Sequence, residues 1–301
     1  MNTIPQLQNS PEQLRLLCAQ RRLYSRAKGV LTLQTLLSVP FAILWALLVL
    51  KMPGAKVYAA AWGVAVSLLD LAVFTPRQEV LKRSAASVQE LFDCTVLGLN
   101  WNVIKAGARP SAEALSSWAK GFGPASAEEE KLRDWYPPAV GELPLWVARI
   151  VCQRANCWWD AELRRRYARW SLVIVALVFV LIFIAGVAGH FSVEAWFLGG
   201  VAPFAPVVLL GMRQYSEQRK AADRLDGLRG HAERIWNDAA GGADPEKLSL
   251  ESRSLQDELY AHRSRNPLFF IWIYGLLRNE QEEHMNIAAA ELVAEARRHL
   301  T

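Results

Sequence analysis

VLTLQTLLSVPFAILWALLVL, Val30 to Leu50, is a predominantly apolar run of 21 residues. A helix of that length rises about 30 Å, the hydrocarbon thickness of a bilayer. A core helix of a soluble protein confines its apolar residues to one stripe, so this run reads as a membrane span. Three further stretches share its character: VYAAAWGVAVSLLDLAVFT (Val57–Thr75), WSLVIVALVFVLIFIAGVAG (Trp170–Gly189) and AWFLGGVAPFAPVVLLGM (Ala195–Met212). The fold class that follows is a mainly all-α polytopic membrane protein. Its four transmembrane helices form two hairpins, and a largely helical cytoplasmic domain is built from three segments.

The connections fix the pairing. KMPGAK (Lys51–Lys56) joins the first two spans, and HFSVE (His190–Glu194) joins the last two. Both are too short for anything but tight antiparallel hairpins. Of 34 Lys and Arg residues, 5 lie in residues 1–29, 14 in 76–170 and 13 in 213–301, leaving only Lys51 and Lys56 in the connecting loops. Such an excess marks the cytoplasmic side. The expected organisation is therefore a cytoplasmic helix (1–29), a first hairpin (30–75), a cytoplasmic insert (76–169), a second hairpin (170–212) and a cytoplasmic C-terminal region (213–301). Both termini are expected in the cytoplasm. The net charge of +5 follows from juxtamembrane Arg and Lys and demands no nucleic-acid partner. MNTIPQLQNSPEQLRLL is polar and unlike a cleavable signal. The cysteines, Cys18, Cys94, Cys152 and Cys157, fall in segments where reduced thiols are the rule. Their spacing supplies no zinc-like set, so neither a metal nor a cofactor is expected.

Outside the membrane the pattern is helical. Asn9 or Ser10 can cap a helix opened by Pro11, with Glu12 near its positive end, running toward the first span with a break at Gly29. A helix is expected over Gln78–Trp101, another between turns at Gly107–Pro110 and Gly121–Pro124, and another after the acidic run Glu128–Glu130. Leu145–Tyr167 reads as a helix entering the third span. After the fourth span, Ala221, Leu225, Leu228, Ala232 and Ile235 repeat at heptad spacing. That seam suits either packing on neighbours in the same chain or self-association. Short strands in the insert remain open.

Polar residues within the spans mark candidate pore-lining positions. Asp70 is the acidic residue inside a span, and a carboxylate there needs water or a partner. Gly63 and Ser67 share its helix stripe. Gln34, Thr35 and Ser38 form a polar patch at the same depth in the first span. A cation pathway would use this arrangement; equally, Asp70 could pair with Arg77 or hydrogen-bond across helices. Leu172–Ala185 carries no polar residue and is expected to face lipid.

The chain has no phosphate-loop, dinucleotide-binding, nucleophile-elbow or zinc-protease motif, and it reads as a non-enzyme with no catalytic residues. CQRANCWWDAELRRRYARW (Cys152–Trp170) and the stretch from Leu255 to Met285 are rich in Arg, Trp, Tyr and Asn. Guanidinium groups suit phosphates and aromatic faces suit bases. The candidate nucleotide-binding residues are Arg154, Trp158, Tyr260, Arg263, Arg265, Asn266, Tyr274 and Arg278. The bland alternative is that the arginines are stop-transfer charge and the aromatics core.

NSPEQLRLLCAQRRLYSRAK, VLGLNWN, DWYPP with CQRANCWWD, and LQDELYAHRSRNPLFF with IYGLLRNEQEEHM resemble the SMODS-associating four-TM effector family, over nearly the whole chain. The resemblance implies an effector in the bacterial inner membrane, part of an anti-phage system and functionally linked to a partner nucleotidyltransferase. It implies control by a nucleotide or oligonucleotide ligand, with membrane depolarisation and growth arrest as the outcome. Four helices with so few polar groups cannot enclose a wide aqueous path alone, so a homo-oligomeric pore or ion channel is the leading expectation. The other is a non-conducting membrane anchor that recruits the nucleotidyltransferase.

Overall fold

The computed structural model describes residues 2–122, 127–190, 192–197, 201–270, 287, 290–295 and 298. A single turn, α1 (Ile4–Leu7), precedes α2 (Pro11–Lys51). Pro11 opens the first turn and Glu12 sits at the positive end, as the sequence indicates; Ser10 has the extended N-cap backbone, but the expected side-chain cap is absent, its hydroxyl being buried without a partner. The expected break at Gly29 is absent: α2 runs unbroken for 41 residues, through Gly29 and through Pro40. Pro53–Ala55 forms a tight turn, and α3 (Lys56–Leu69) returns across the membrane.

Beyond α3 the helix widens. Over Asp70–Phe74 the backbone bonds skip one residue further, the Thr75 amide donating to the Asp70 carbonyl, and α4 (Thr75–Val96) then continues the run. The sequence suggested a helix to Trp101, but α4 stops at Val96. Gly98 adopts φ +61°, and the Leu99 amide donates to the Cys94 carbonyl while the Gly98 amide donates to that of Thr95. This left-handed C-terminal cap is open to glycine at little cost.

The insert carries short helices: α5 (Val103–Ala106), α6 (Ala112–Trp118) and α7 (Ala127–Glu130). The acidic run lies inside α7 rather than ahead of a helix. Then α8 (Leu145–Ala188) passes directly from the polar body into the third span. Within the fourth apolar stretch, residues 198–200 lie outside the described residues; α9 (Val193–Trp196) precedes them and α10 (Ala202–Ala240) follows, with Pro203 in the first turn of α10. α11 (Pro245–Arg265) starts from an Asp244 side-chain cap and stops before Pro267. No strand occurs among the described residues.

Among those residues, three helical runs are long and apolar enough to cross a membrane: Pro11–Trp45, Lys56–Val96 and Leu145–Ala188. The third span faces outward as expected: Leu177, Val180, Phe183 and Ile184 are exposed, whereas Val175 and Ile182 are buried. Its buried side meets the second hairpin's return. Trp196 Nε1 donates to the Ile182 carbonyl at 3.0 Å. Gly211 of α10 lies so close to α8 that a Cβ there would sit 2.2 Å from Val175 Cγ2, a close approach of the kind small residues permit between spans.

The heptad-spaced residues take the first of their two readings. Ala221, Leu225, Ala232 and Ile235 are buried within the single chain, and the most extensive helix pair is α8 with α10. N-terminal, insert and C-terminal segments meet in one apolar core that includes Ile4, Leu17, Phe92, Ile150, Leu225 and Leu255. Asn2 Nδ2 donates to the carbonyls of Val140 (2.7 Å) and Leu143 (2.8 Å), and Gln8 exchanges two bonds with the Tyr136 backbone. The three polar segments thus form one body on one side of the spans.

Candidate functional site

Asp70 lies where α3 gives way to the widened turn. Its Oδ1 accepts from Gln34 Nε2 at 2.6 Å and from Thr75 Oγ1 at 3.0 Å. Gln34 in turn accepts, through Oε1, from Gln78 Nε2 at 2.6 Å. A relay of side chains therefore joins α4, α2 and the widened turn, and Asp70 takes hydrogen bonds across helices rather than an ion pair with Arg77. Irregular backbone at membrane depth is tolerated where protein or water covers it, and one extra residue in a turn re-aims the side chains that follow.

Two cavities flank this relay and meet at Ser38. An intramembrane cavity of about 540 Å³ lies within the first hairpin and is lined by Ser38, Gly63, Ser67 and Asp70 together with Trp45 and Trp62. Ser67 donates to the Gly63 carbonyl at 2.8 Å, and Phe41 stacks on Trp62 with 4.9 Å between centroids. A second, interfacial cavity of about 680 Å³ carries Gln34, Thr35 and Ser38 on one wall and a cluster of basic side chains from α4, α10 and the end of α11 on the other. All six candidate pore-lining residues therefore border one or both cavities.

A third cavity, about 390 Å³, lies inside the polar body. Its walls come from α2, α4, α8, α10 and α11, with Leu132 and Trp135 closing one side. Arg21, Lys28, Lys131, Arg164 and Arg263 line it against one carboxylate, Asp160. Tyr24, Trp135, Trp159 and Phe269 supply aromatic surface. Phe269 takes Lys28 Nζ over its ring at 4.1 Å and packs on Tyr167 at 5.9 Å. His262 and Asn266 are among the residues lining this space, and His262 Nδ1 and Asn266 Nδ2 are buried without a hydrogen-bond partner. Burial holds the His262 imidazole below its ordinary pKa, against the opposing pull of Asp160, whose Oδ2 is 3.4 Å from Nε2. Excess positive charge, aromatic faces and unpartnered polar atoms are what a phosphate-bearing aromatic ligand needs.

The candidate nucleotide-binding residues divide. Arg263 and Asn266 line this cavity. Arg263 also ion-pairs with Asp93, itself fully buried, so its charge is partly committed. Burial alone would lower the Arg263 pKa, but Asp93 and its neighbours hold it above the ordinary value. Arg265 faces the interfacial cavity instead. Arg154 is bound to Glu233 of α10, with Nε at 3.2 Å and Nη2 at 3.1 Å from Oε1. Tyr260 reaches the Ala106 carbonyl at 3.5 Å. Trp158 does not line the cavity, whereas its neighbour Trp159 does. Tyr274 and Arg278 lie outside the described residues.

Arg21, Tyr24 and Lys28 were not among the sequence candidates. Their spacing of three and four on α2 puts them on one helix face, a signal that becomes readable once another element is known to cover that face. Around the cavity the body is held by a buried ionic network. Arg253 Nη2 lies 2.7 Å from both Glu90 and Asp257, Gln256 Nε2 donates to Glu90 (2.8 Å) and Asp93 (2.9 Å), and Tyr136 Oη donates to Asp93 at 2.6 Å. Removing one partner of such a set costs far more than the set contributes net.

A family model for the SMODS-associating 4TM effector domain matches residues 2–292. The chain belongs to that family. This SMODS-associating 4TM effector is 24% identical over 285 residues to a probable CBASS effector molecule of Bacillus cereus (strain VD146), an alignment covering 92% of this chain and 94% of the relative. No solved structure matches it. Membership supplies a fourth span beside the three long apolar helices, and it makes the chain a transmembrane effector.

Proposed function

We propose that this effector is a homo-oligomeric pore or ion channel of the bacterial inner membrane, serving anti-phage defence of the CBASS type. In this reading a nucleotide or oligonucleotide made by a partner nucleotidyltransferase sets its open probability, and membrane depolarisation arrests the cell. The observation that carries the reading is the continuity of α2 and α8. Each lines the cavity in the polar body and then runs without interruption into the membrane. A ligand drawn in by Arg21, Lys28 and Trp159 would act on the same rigid rods that carry the spans. It shifts their arrangement only by the difference in its affinity for the two states. On the membrane side, Gln34 and Asp70 border the two cavities that meet at Ser38, which supports a polar path beside the second span. The basic wall of the interfacial cavity would disfavour cations at that mouth.

One observation favours a second reading, a non-conducting anchor that recruits the nucleotidyltransferase: the Asp70 carboxylate is already met by Gln34 and Thr75 and does not require a water-filled path. Ion flux from liposomes holding the purified protein separates the two. Cyclic dinucleotides, cyclic trinucleotides and oligodeoxyadenylates are titrated by calorimetry and then in the flux assay. One of them should bind, more weakly as salt rises, and should change the flux. Arg21→Gln with Trp159→Ala should weaken that binding while leaving the oligomer intact. A well-folded oligomer that binds none of them would point to gating by protein contact, and absence of flux under every condition would favour the anchor.

A further inference from the structure

The interfacial cavity holds more positive charge than a pore mouth requires. Lys82, Arg213, Lys220, Arg224 and Arg265 line it, against Glu79 and Glu217. Three of the five belong to α10 at spacings of seven and four, which places them on one face of that helix. They begin at the residue after Met212, where the fourth apolar stretch ends. The Arg213 side of the cavity therefore lies at the membrane boundary. From there the cavity reaches inward along the first span, past Gln34, Thr35 and Ser38 to Val39 at hydrocarbon depth, with Leu31 and Leu210 as apolar residues nearer the boundary.

Two buried polar groups lining this space have no hydrogen-bond partner: Gln214 Oε1, in a residue 8% exposed, and Asn266 Nδ2, in a residue 7% exposed. Lys82 and Arg213 are only partly engaged within the protein, by the Asn266 carbonyl at 3.3 Å and by Glu217 at 2.8 Å. Unmet polar atoms of this kind are costly unless a ligand or water meets them. At about 680 Å³ the cavity is within the range of about 300–1,000 Å³ typical of small-molecule sites.

We propose that this cavity is a binding site for an anionic phospholipid of the leaflet facing the polar body. Its phosphodiester headgroup would be held by Arg213, Lys220 and Arg224, and its acyl chains would lie along Leu210 and Val39. A soluble anion would meet the basic wall but leave the part that reaches into the membrane along Leu210 and Val39 unused, whereas a phospholipid extends into both. Basic pockets between spans at this depth are the recurrent setting for anionic headgroups. The inference rests on the membrane embedding alone and is independent of nucleotide control and of conduction.

The test uses the full chain purified in a neutral detergent. Its thermal stability and its native mass spectrum are followed as phosphatidylglycerol, cardiolipin or phosphatidylcholine is added, with inorganic phosphate and glycerol 3-phosphate as soluble arms. The expected result is saturable stabilisation by an anionic lipid, with retained lipid adducts, and little effect of phosphatidylcholine. Each neutralised cation should weaken the apparent affinity by about fivefold, the equivalent of about 1 kcal/mol per basic residue near a charged surface. Lys220 and Arg224 are exposed, so the Lys220→Gln, Arg224→Gln double variant should melt like the parent without lipid yet respond about 25-fold less sensitively. Equal stabilisation by phosphatidylcholine, saturation by inorganic phosphate alone, or an unchanged response of the double variant would each overturn the proposal.

Discussion

Gln34 Nε2 donates to Asp70 Oδ1 across 2.6 Å, linking the first span to the second where the second helix widens by one residue. The bond lies between the intramembrane cavity of the first hairpin, which Asp70 lines, and the interfacial cavity, which Gln34 lines, so its loss bears on both packing and permeation. Gln34→Leu removes the donor and should lower stability by about 1–3 kcal/mol, the cost of a polar group left unmet, read as a lower melting temperature in detergent. Asp70→Asn keeps an acceptor for Gln34 and Thr75 and should insert and fold. In bilayer recordings it should alter conductance or ion preference. Unchanged recordings would reduce Asp70 to a structural role.

Gly211 offers a test of the second hairpin. A methyl group there meets Val175 Cγ2 at 2.2 Å, so Gly211→Ala should destabilise by about 1–3 kcal/mol through overpacking. Gly227, in the same helix, has nothing within 4 Å of a built Cβ. Gly227→Ala should therefore stabilise by about 0.5–1 kcal/mol, and the opposite signs are checked by thermal unfolding of the two variants side by side.

The buried seam makes a prediction about assembly. Leu225 is almost wholly enclosed within one chain, so Leu225→Ala should cost about 2–5 kcal/mol. The folded fraction should retain the parent's mass by light scattering. A change of oligomer mass with unchanged stability would move the seam to a contact between copies.

His262 gives the body a pH dependence. Its pKa is held below the ordinary value by burial, with Asp160 opposing and the Arg164 and Arg263 charges adding to the depression. The folded state therefore favours neutral imidazole. The contribution is fully present above the unfolded pKa of about 6.5 and is lost as pH falls from there through the folded value. Melting temperature should decline on that interval, and His262→Leu should flatten the decline relative to the parent.

Topology is open to direct labelling. Both ends and residue 120 are expected in the cytoplasm, opposite the Lys51–Lys56 turn. A cysteine placed in that turn should react with an impermeant thiol reagent from outside the cell, and one at residue 120 should not. Labelling at 120 from outside would invert the assignment.

The start of α2 at Ser10–Pro11, the two hairpins and the passage of α8 into the membrane were legible because each rests on local chemistry: a proline at the first helical position, a short polar turn, an apolar run. The matched depth of Gln34 and Asp70 was legible for the same reason, since rise per residue fixes depth. Other features needed long-range partners. Arg154 meets Glu233 at a separation of 79 residues, and Arg263 meets Asp93 at 170. No local pattern distinguishes such pairs from arginines waiting for phosphate. Trp158 and Trp159 differ only in helix phase, which has meaning only once the covering element is placed. Gly98 ended α4 early because one left-handed residue suffices, and the helical pattern around it gave no sign of the stop.

Asn266, Pro267 and Leu268 border both the interfacial cavity and the cavity in the polar body. Lys82 and Arg164 grip their carbonyls from one side and the other, at 3.3 Å and 3.2 Å, and Gln218 holds that of Leu268 at 3.0 Å. Three residues thus serve as a party wall between two rooms. A guest that displaces the wall from one room does work on whatever occupies the other, and thermodynamic linkage makes that influence equal in both directions. The composition of the membrane and the concentration of a soluble signal would then enter the same equilibrium. The sensitivity of this effector would be a property of the protein together with the bilayer in which it sits.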